Sequence, residues 1–284
     1  MVLPWRICNG VPIDETSIDR PICEGSLRQP GNGGKTLSAT VEKALQLIEA
    51  LARSEAPRGI SQLGRDLGLN KSTVFRLVDT LVRQGFARQD PGTGRYALTP
   101  KLWELGVGVV RDLGLRQAAR PALEAEAAAT GEATMLGILD GAEALIIDKV
   151  DSRQPLQTFS PLGARVSLCV ASIGRALLAF QPPAVIEAVT AGYVPLTPRG
   201  LRTRAALLRE LDRVRAEGWA RSVDEWQVGI SGVAAPIRGR GGEVAGALCI
   251  TGPSSRLDAK RMAELAARCV AAAGRVSTVL REGG

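Results

Sequence analysis

The stretch Ile60-Ser61-Gln62-Leu63-Gly64-Arg65-Asp66-Leu67-Gly68-Leu69-Asn70-Lys71-Ser72-Thr73-Val74-Phe75-Arg76-Leu77-Val78-Asp79-Thr80-Leu81 decides how this chain is read. It predicts two short helices broken at Gly68, with Ser61 capping the first and Asn70 capping the second. Val74, Leu77, Val78 and Leu81 fall at i, i+3, i+4 and i+7, so they make one apolar stripe on the second helix. Ser72, Thr73 and Arg76 lie off that stripe near the helix start, where side chains reach base edges and phosphates. That layout is a helix-turn-helix, and it makes double-stranded DNA the first partner to consider.

Working outward, residues 37–98 complete a winged helix-turn-helix. Val41, Ala44, Leu45, Ile48 and Leu51 form the apolar face of a preceding helix that stops before Pro57. After Gly85, residues 86–88 and 95–98 read as short strands around Asp90-Pro91-Gly92-Thr93-Gly94, whose Pro and Gly build a tight tip. Arg88 and Arg95 flank this wing. Lys71 and Arg95 suit phosphates, while Arg76 suits either a guanine edge or a phosphate. Residues 99–114 read as a linker helix opened by Thr99-Pro100. Its Leu102, Trp103, Leu105, Val107 and Val109 spread around the helix, too much apolar surface for an exposed rod, which predicts burial between subunits.

The remaining residues, 115–284, alternate strand and helix signals. A helix over 115–129 precedes strands 133–139 and 144–150, joined at Asp140-Gly141, a hairpin signal. Helices are expected near 172–180, 183–190 and 203–217. Strands 229–237 and 243–251 follow, and a helix over 258–280 closes the chain. Paired strands interrupted by helices predict an α+β domain, with helices on one side of an antiparallel sheet.

Composition sets outer bounds. The chain has 284 residues, 45% hydrophobic and 23% charged, enough for two domains with their own cores. No apolar run reaches the roughly 18 residues of a membrane span. Residues 1–6 do not resemble a secretory signal, so a cytoplasmic protein without membrane partners is expected. Its net charge of +7 suits an anionic partner. The 30 arginines against 6 lysines also match GC-rich coding, so the charge alone decides little. There is no histidine, which excludes Ser-His-Asp and Cys-His catalysis and histidine-ligated metals. Five cysteines without a CxxC spacing indicate neither a zinc site nor a disulfide framework, and no metal or cofactor is expected. Residues 1–36, rich in Pro and Gly, read as a flexible extension. Within them, residues 29–36 come close to a P-loop, but Gln29 replaces the first glycine and no strand precedes it, which argues against nucleotide hydrolysis.

Several motifs together resemble the IclR family of bacterial transcription regulators. They are the Ser72-Thr73-Val74, Arg76-Leu77 and Gly85-Phe86 positions, the run GARVSLCVASIGRALLA at 163–179, Gly218-Trp219-Ala220, Asp224-Glu225, Ala234-Ala235-Pro236 and Ile250-Thr251-Gly252-Pro253. The resemblance implies a winged helix-turn-helix, a linker helix and a GAF-like effector-binding domain. It also implies homodimers or homotetramers on palindromic operators, controlled by small organic acids or aromatic metabolites. No catalytic residue is implied.

In the effector domain, Ser172, Ile173 and Gly174 begin a helix whose free backbone N–H groups suit a carboxylate. Equally, Ser172 could serve as a plain cap and Gly174 as a packing residue. The resemblance favours a ligand role for them and adds Ser222, Gly232, Cys249 and Thr251 to the pocket wall. Cys249 and Thr251 share a strand face, although a buried thiol is also a common core residue. Departures from the family pattern stand at Gly232, where many relatives carry cysteine, at Ser222, where some carry aspartate, and at Cys169, where histidine is frequent. They imply an effector larger or more apolar than glyoxylate or pyruvate. The rivals are a GAF-like enzyme using Cys169 or Cys249 as nucleophile, which lacks an activating base, and a helix-turn-helix that binds protein.

Overall fold

A computed structural model of the protein describes residues 38–111, 114–155 and 161–282, with the side chains of 107–111 excepted. The predicted extension over 1–36, its P-loop-like run, Cys8 and Cys23 lie outside the described residues. Contacts group the rest into two units, one within 29–112 and one within 113–284.

The first unit contains α1 (Ala39–Ala52), α2 (Ile60–Asp66), α3 (Lys71–Arg83), the hairpin β1 (Ala87–Gln89) and β2 (Tyr96–Leu98), and α4 (Lys101–Arg111). The α3 stripe of Val74, Leu77, Val78 and Leu81 is buried against Leu47, Leu51 and Leu63. Each such side chain contributes about 1.5–3 kcal/mol of apolar burial. Gly68 turns the chain between α2 and α3 with φ +63°, a left-handed conformation natural to glycine.

Two expectations for this unit are corrected. The buried face of α1 runs through Leu47 and Leu51, and Val41 and Leu45 are 57% and 55% exposed. The reason is contact geometry: α1 packs on α3 and β2, and these turn Leu47 inward. Ser61 does not cap α2. The helix starts at Ile60 after an extended Gly59, because Arg58 exchanges two 2.8 Å backbone hydrogen bonds with Tyr96 and carries the chain straight off the wing.

The second unit is a six-stranded antiparallel sheet of order β5-β4-β3-β8-β7-β6. Its strands are β3 (Ala133–Asp140), β4 (Glu143–Val150), β5 (Arg165–Ser167), β6 (Ala220–Val223), β7 (Ile230–Arg238) and β8 (Val244–Pro253). Its helices are α5 (Leu115–Thr130), α6 (Ser172–Leu178), α7 (Pro183–Thr190), α8 (Arg204–Glu217) and α9 (Ala259–Glu282). They do not lie on one side as expected. Leu136, Val233, Ala235, Leu248 and Ile250 pack with α5 and α9, while Met135, Ile146, Ala234 and Cys249 pack with α6 and α8. Both sheet faces are apolar, so both need covering. The short edge strands β5 and β6 are additions to the predicted set.

Candidate functional site

On α3, the Asn70 side chain fixes the front of the helix. Its Oδ1 accepts the Thr73 N–H at 2.8 Å and the Ser72 hydroxyl at 3.0 Å. Lys71, Ser72 and Arg76 are exposed and Thr73 is half-buried. Phe75, 53% exposed, shares this outward face. Sequence periodicity had flagged only the polar members, yet an off-stripe phenylalanine on the same helix was the available signal, and such a ring can contact a thymine methyl. Arg88 on β1 and Arg95 before β2 are exposed beside the wing tip. That tip is held by Asp90, whose carboxylate accepts the Thr93 hydroxyl at 2.5 Å and the Gly92 N–H at 3.2 Å. These bonds, that of Thr93 foremost, hold the Asp90 carboxyl below its ordinary range. Among the described residues, no carboxylate lies within ion-pair distance of Lys71, Arg76, Arg88 or Arg95, whereas Arg58 pairs with Asp66 and Arg83 with Asp79.

The second site is a cavity between the sheet and α6, enclosing about 50 Å³ of free volume. Ser172, Ile173, Ser222, Gly232, Cys249 and Thr251 line it. Gly174 does not. A Cβ there would sit 2.3 Å from the Ser167 carbonyl and 2.6 Å from the Leu168 Cα, so this glycine lets α6 pack onto the chain leaving β5. Gly232 leaves little spare room: a Cβ there would meet the Ile250 carbonyl at 3.0 Å and the Thr251 side chain at 3.2 Å. Met135, Ile146, Val166, Ala171, Trp226, Ile230 and Ser231 complete the wall. Sequence reasoning missed these, since apolar strand residues and a loop tryptophan look like any core.

Most polar groups in the cavity are engaged. The Thr251 hydroxyl donates to the Ser231 carbonyl at 3.0 Å, the Ser231 and Ser254 hydroxyls share a bond of 2.8 Å, and Ser172 Oγ lies 3.6 Å from Cys249 Sγ. Ser222 Oγ is the exception: the residue is 5% exposed and its hydroxyl has no partner among the described residues. Burial pushes the Cys249 thiol up to about 11, partly offset by the Ser172 hydrogen bond, so it is a poor nucleophile.

Behind the wall, Arg175 is 1% exposed. It donates Nε–H to the Cys169 carbonyl at 2.8 Å and an Nη1–H to the Arg221 carbonyl at 3.0 Å. It also grips both oxygens of Glu225, at 2.9 and 2.6 Å. This bidentate pair ties α6 to the loop that carries Trp226 over the cavity.

With this geometry in hand, comparison with known proteins is decisive. Residues 107–278 match the bacterial transcriptional regulator IclR C-terminal family, and residues 40–91 match the IclR helix-turn-helix domain. The chain belongs to the IclR family. It is similar to the HTH-type transcriptional regulator XynR of Escherichia coli, 33% identical over 79% of this chain and 90% of that protein. It is also similar to the glycerol operon regulatory protein of Streptomyces coelicolor, 35% identical over 77% of this chain and 86% of that protein. Among solved structures, an IclR homologue from Microbacterium hydrocarbonoxydans complexed with 4-hydroxybenzoate superposes with a TM-score of 0.77 at 26% identity, covering 86% of this chain and 99% of that one. This IclR-family chain is therefore a transcriptional regulator with a helix-turn-helix DNA-binding domain and a C-terminal effector-binding domain. Both of these relatives are regulatory proteins. Among the described residues no helix is long and apolar enough to cross a membrane.

Proposed function

We propose that a dimer of this regulator, or a tetramer built from dimers, reads two half-sites of a palindromic operator in the cytoplasm, and that a small organic effector in the C-terminal cavity biases that binding. The supporting observation is charge availability. Among the described residues, Lys71, Arg76, Arg88 and Arg95 are exposed on α3 and the wing with no carboxylate within ion-pair distance, where a polyanion would dock. Arg76, Ser72, Thr73 and Phe75 then face base edges, and Lys71, Arg88 and Arg95 hold phosphates.

The dimer is supported by apolar surface left open on the first unit. Val41 and Leu45 on α1, and Trp103 and Leu105 on α4, are all more than half exposed. For the effector, the support is the cavity and its unpartnered Ser222 hydroxyl, together with the 4-hydroxybenzoate bound by a relative. The proposed ligand contacts are Ser172, Ile173, Ser222, Gly232, Cys249 and Thr251, with Gly174 setting the height of α6. No chemistry on the ligand is required; binding one of two states better suffices to shift DNA affinity.

Fluorescence anisotropy of the purified chain on duplex DNA from upstream of its own gene tests this reading. Affinity should fall linearly with salt on logarithmic axes, as released counterions require. A salt-independent affinity, or no retention at low ionic strength, would refute DNA binding by this face. Light scattering that finds a stable monomer at micromolar concentration would refute the dimer.

A further inference from the structure

Phe75 is the one aromatic side chain on α3, and the packing of its own unit does not use it. The core takes Val74, Leu77, Val78 and Leu81 from this helix and is edged by half-buried side chains such as Ile60, Leu69, Val82 and Phe86. Phe75 belongs to neither set. A single exposed hydrophobe needs no explanation by itself. The neighbours of this one supply it.

Lys71 and Ser72 lie one turn before Phe75, and Arg76 follows it directly. Lys71 and Arg76 are exposed with no carboxylate within ion-pair distance among the described residues, and Asp79, the only acidic residue of α3, is held by Arg83. The ring therefore stands in a positive field. A protein surface offering it an apolar contact would have to match or bury those cations, whereas a polyanion gains from them.

The hydrogen-bonding groups nearby divide in a telling way. The Ser72 hydroxyl donates to Asn70 Oδ1 at 3.0 Å, and the Thr80 hydroxyl donates to the Arg76 carbonyl at 2.8 Å. The Arg76 guanidinium keeps free donors, which suit N7 and O6 of guanine. Such donors do not read the C5-methyl group of thymine, the one methyl on a major-groove edge, but an apolar ring does.

We propose that Phe75 is a specificity-determining residue that packs its ring on the C5-methyl of one thymine in each half-site, fixing a T·A pair there as Arg76 favours guanine. This rests on the DNA-binding reading of α3 above and adds which base feature the helix demands.

The test starts from duplexes selected out of a random library by the purified full-length protein. Each thymine of the selected sequence is then replaced singly by deoxyuridine, which removes the methyl and nothing else, and affinity is read by fluorescence anisotropy. At one thymine per half-site the replacement should weaken wild-type binding about fourfold, the value of burying one methyl group. Phe75→Ala should bind the thymine duplex at least about fourfold more weakly and be indifferent to deoxyuridine at that position. Phe75→Leu, still apolar, should keep part of the preference. Both variants should melt with the wild type, because the ring lies outside the core. If no deoxyuridine weakens wild-type binding, methyl reading is overturned while DNA binding by α3 stands. A deoxyuridine penalty that persists in Phe75→Ala would assign the methyl to another residue and overturn the role of Phe75. So would a change in light-scattering mass in that variant with base preference intact, since the ring would then cover protein. Selection that enriches no duplex would overturn the DNA-binding reading itself, and this inference with it.

Discussion

Helices α3 and α6 both open next to a proposed recognition surface, but they are built in opposite ways. In α3, thirteen residues divide into a buried stripe and an outward face, and Lys71 and Arg76 at the front of that face have no carboxylate within ion-pair distance among the described residues. All seven residues of α6 are buried, and its one cation is sealed by a bidentate carboxylate. A polyanion is met from bulk water, so the charges that hold it must stay solvated and uncommitted until it arrives. A small ligand is met in a dry interior, where a free charge would be ruinous and a single free hydroxyl is already informative. The same contrast runs through the surrounding units: Glu126, Glu132, Asp148 and Glu225 are buried in the second unit, and each holds one or two arginines.

The sealed charge gives the largest expected effect. Glu225→Ala leaves the Arg175 guanidinium buried and unpaired, which should cost about 3–5 kcal/mol of stability in urea unfolding. Arg175→Met combined with Glu225→Leu should recover most of that loss, because no stranded charge remains. If the double variant were as unstable as the single one, the pair would be acting through packing of the Trp226 loop instead.

On α3 the buried and outward faces should separate cleanly. Leu77→Ala removes a core side chain and should cost about 2–5 kcal/mol of stability, read by thermal or urea unfolding. Arg76→Ala should leave stability within about 0.5 kcal/mol of wild type, as expected for an exposed residue without partners. It should weaken operator binding by about 1–3 kcal/mol and relax base preference in anisotropy titrations across operator variants. Lys71→Ala should instead weaken all sequences alike and lower the salt slope by about one. A loss of stability in Arg76→Ala, with base preference intact, would erase the distinction between the two faces.

The contrast also explains what could be read in advance. The stripe on α3 has the 3.6-residue period of a half-buried helix, so Val74, Leu77, Val78 and Leu81 announce themselves, and Ser72 and Arg76 follow as their complement. A helix buried on every side has no such period. Ser172 and Ile173 could be singled out only from the helix start and the family resemblance, and Gly174, picked the same way, proved to pack rather than line the cavity. Ser222 sits on a four-residue edge strand and Trp226 in a loop, so neither carries a local pattern. Helices on both sheet faces were likewise hidden, because which face an alternating strand buries depends on partners far along the chain.

The smallest effect, absent at neutral pH, concerns the thiol inside the cavity. Burial raises the Cys249 thiol from 9.0 to about 11, so the folded chain holds this proton longer than the unfolded chain does. Its contribution to stability is therefore fully present below pH 9, declines as the unfolded thiol ionises, and is gone once the pH passes about 11. Cys249→Ser should flatten part of the stability loss between those limits in alkaline unfolding series, and leave the slope of stability against pH near pH 7 unchanged. Iodoacetamide should accordingly alkylate Cys249 slowly in the native protein at neutral pH and at a normal rate after denaturation, as followed by peptide mass spectrometry. Rapid native labelling would mean that the interior around α6 is open to water, in which case the free hydroxyl of Ser222 would be solvated and the difference between the two helices largely lost.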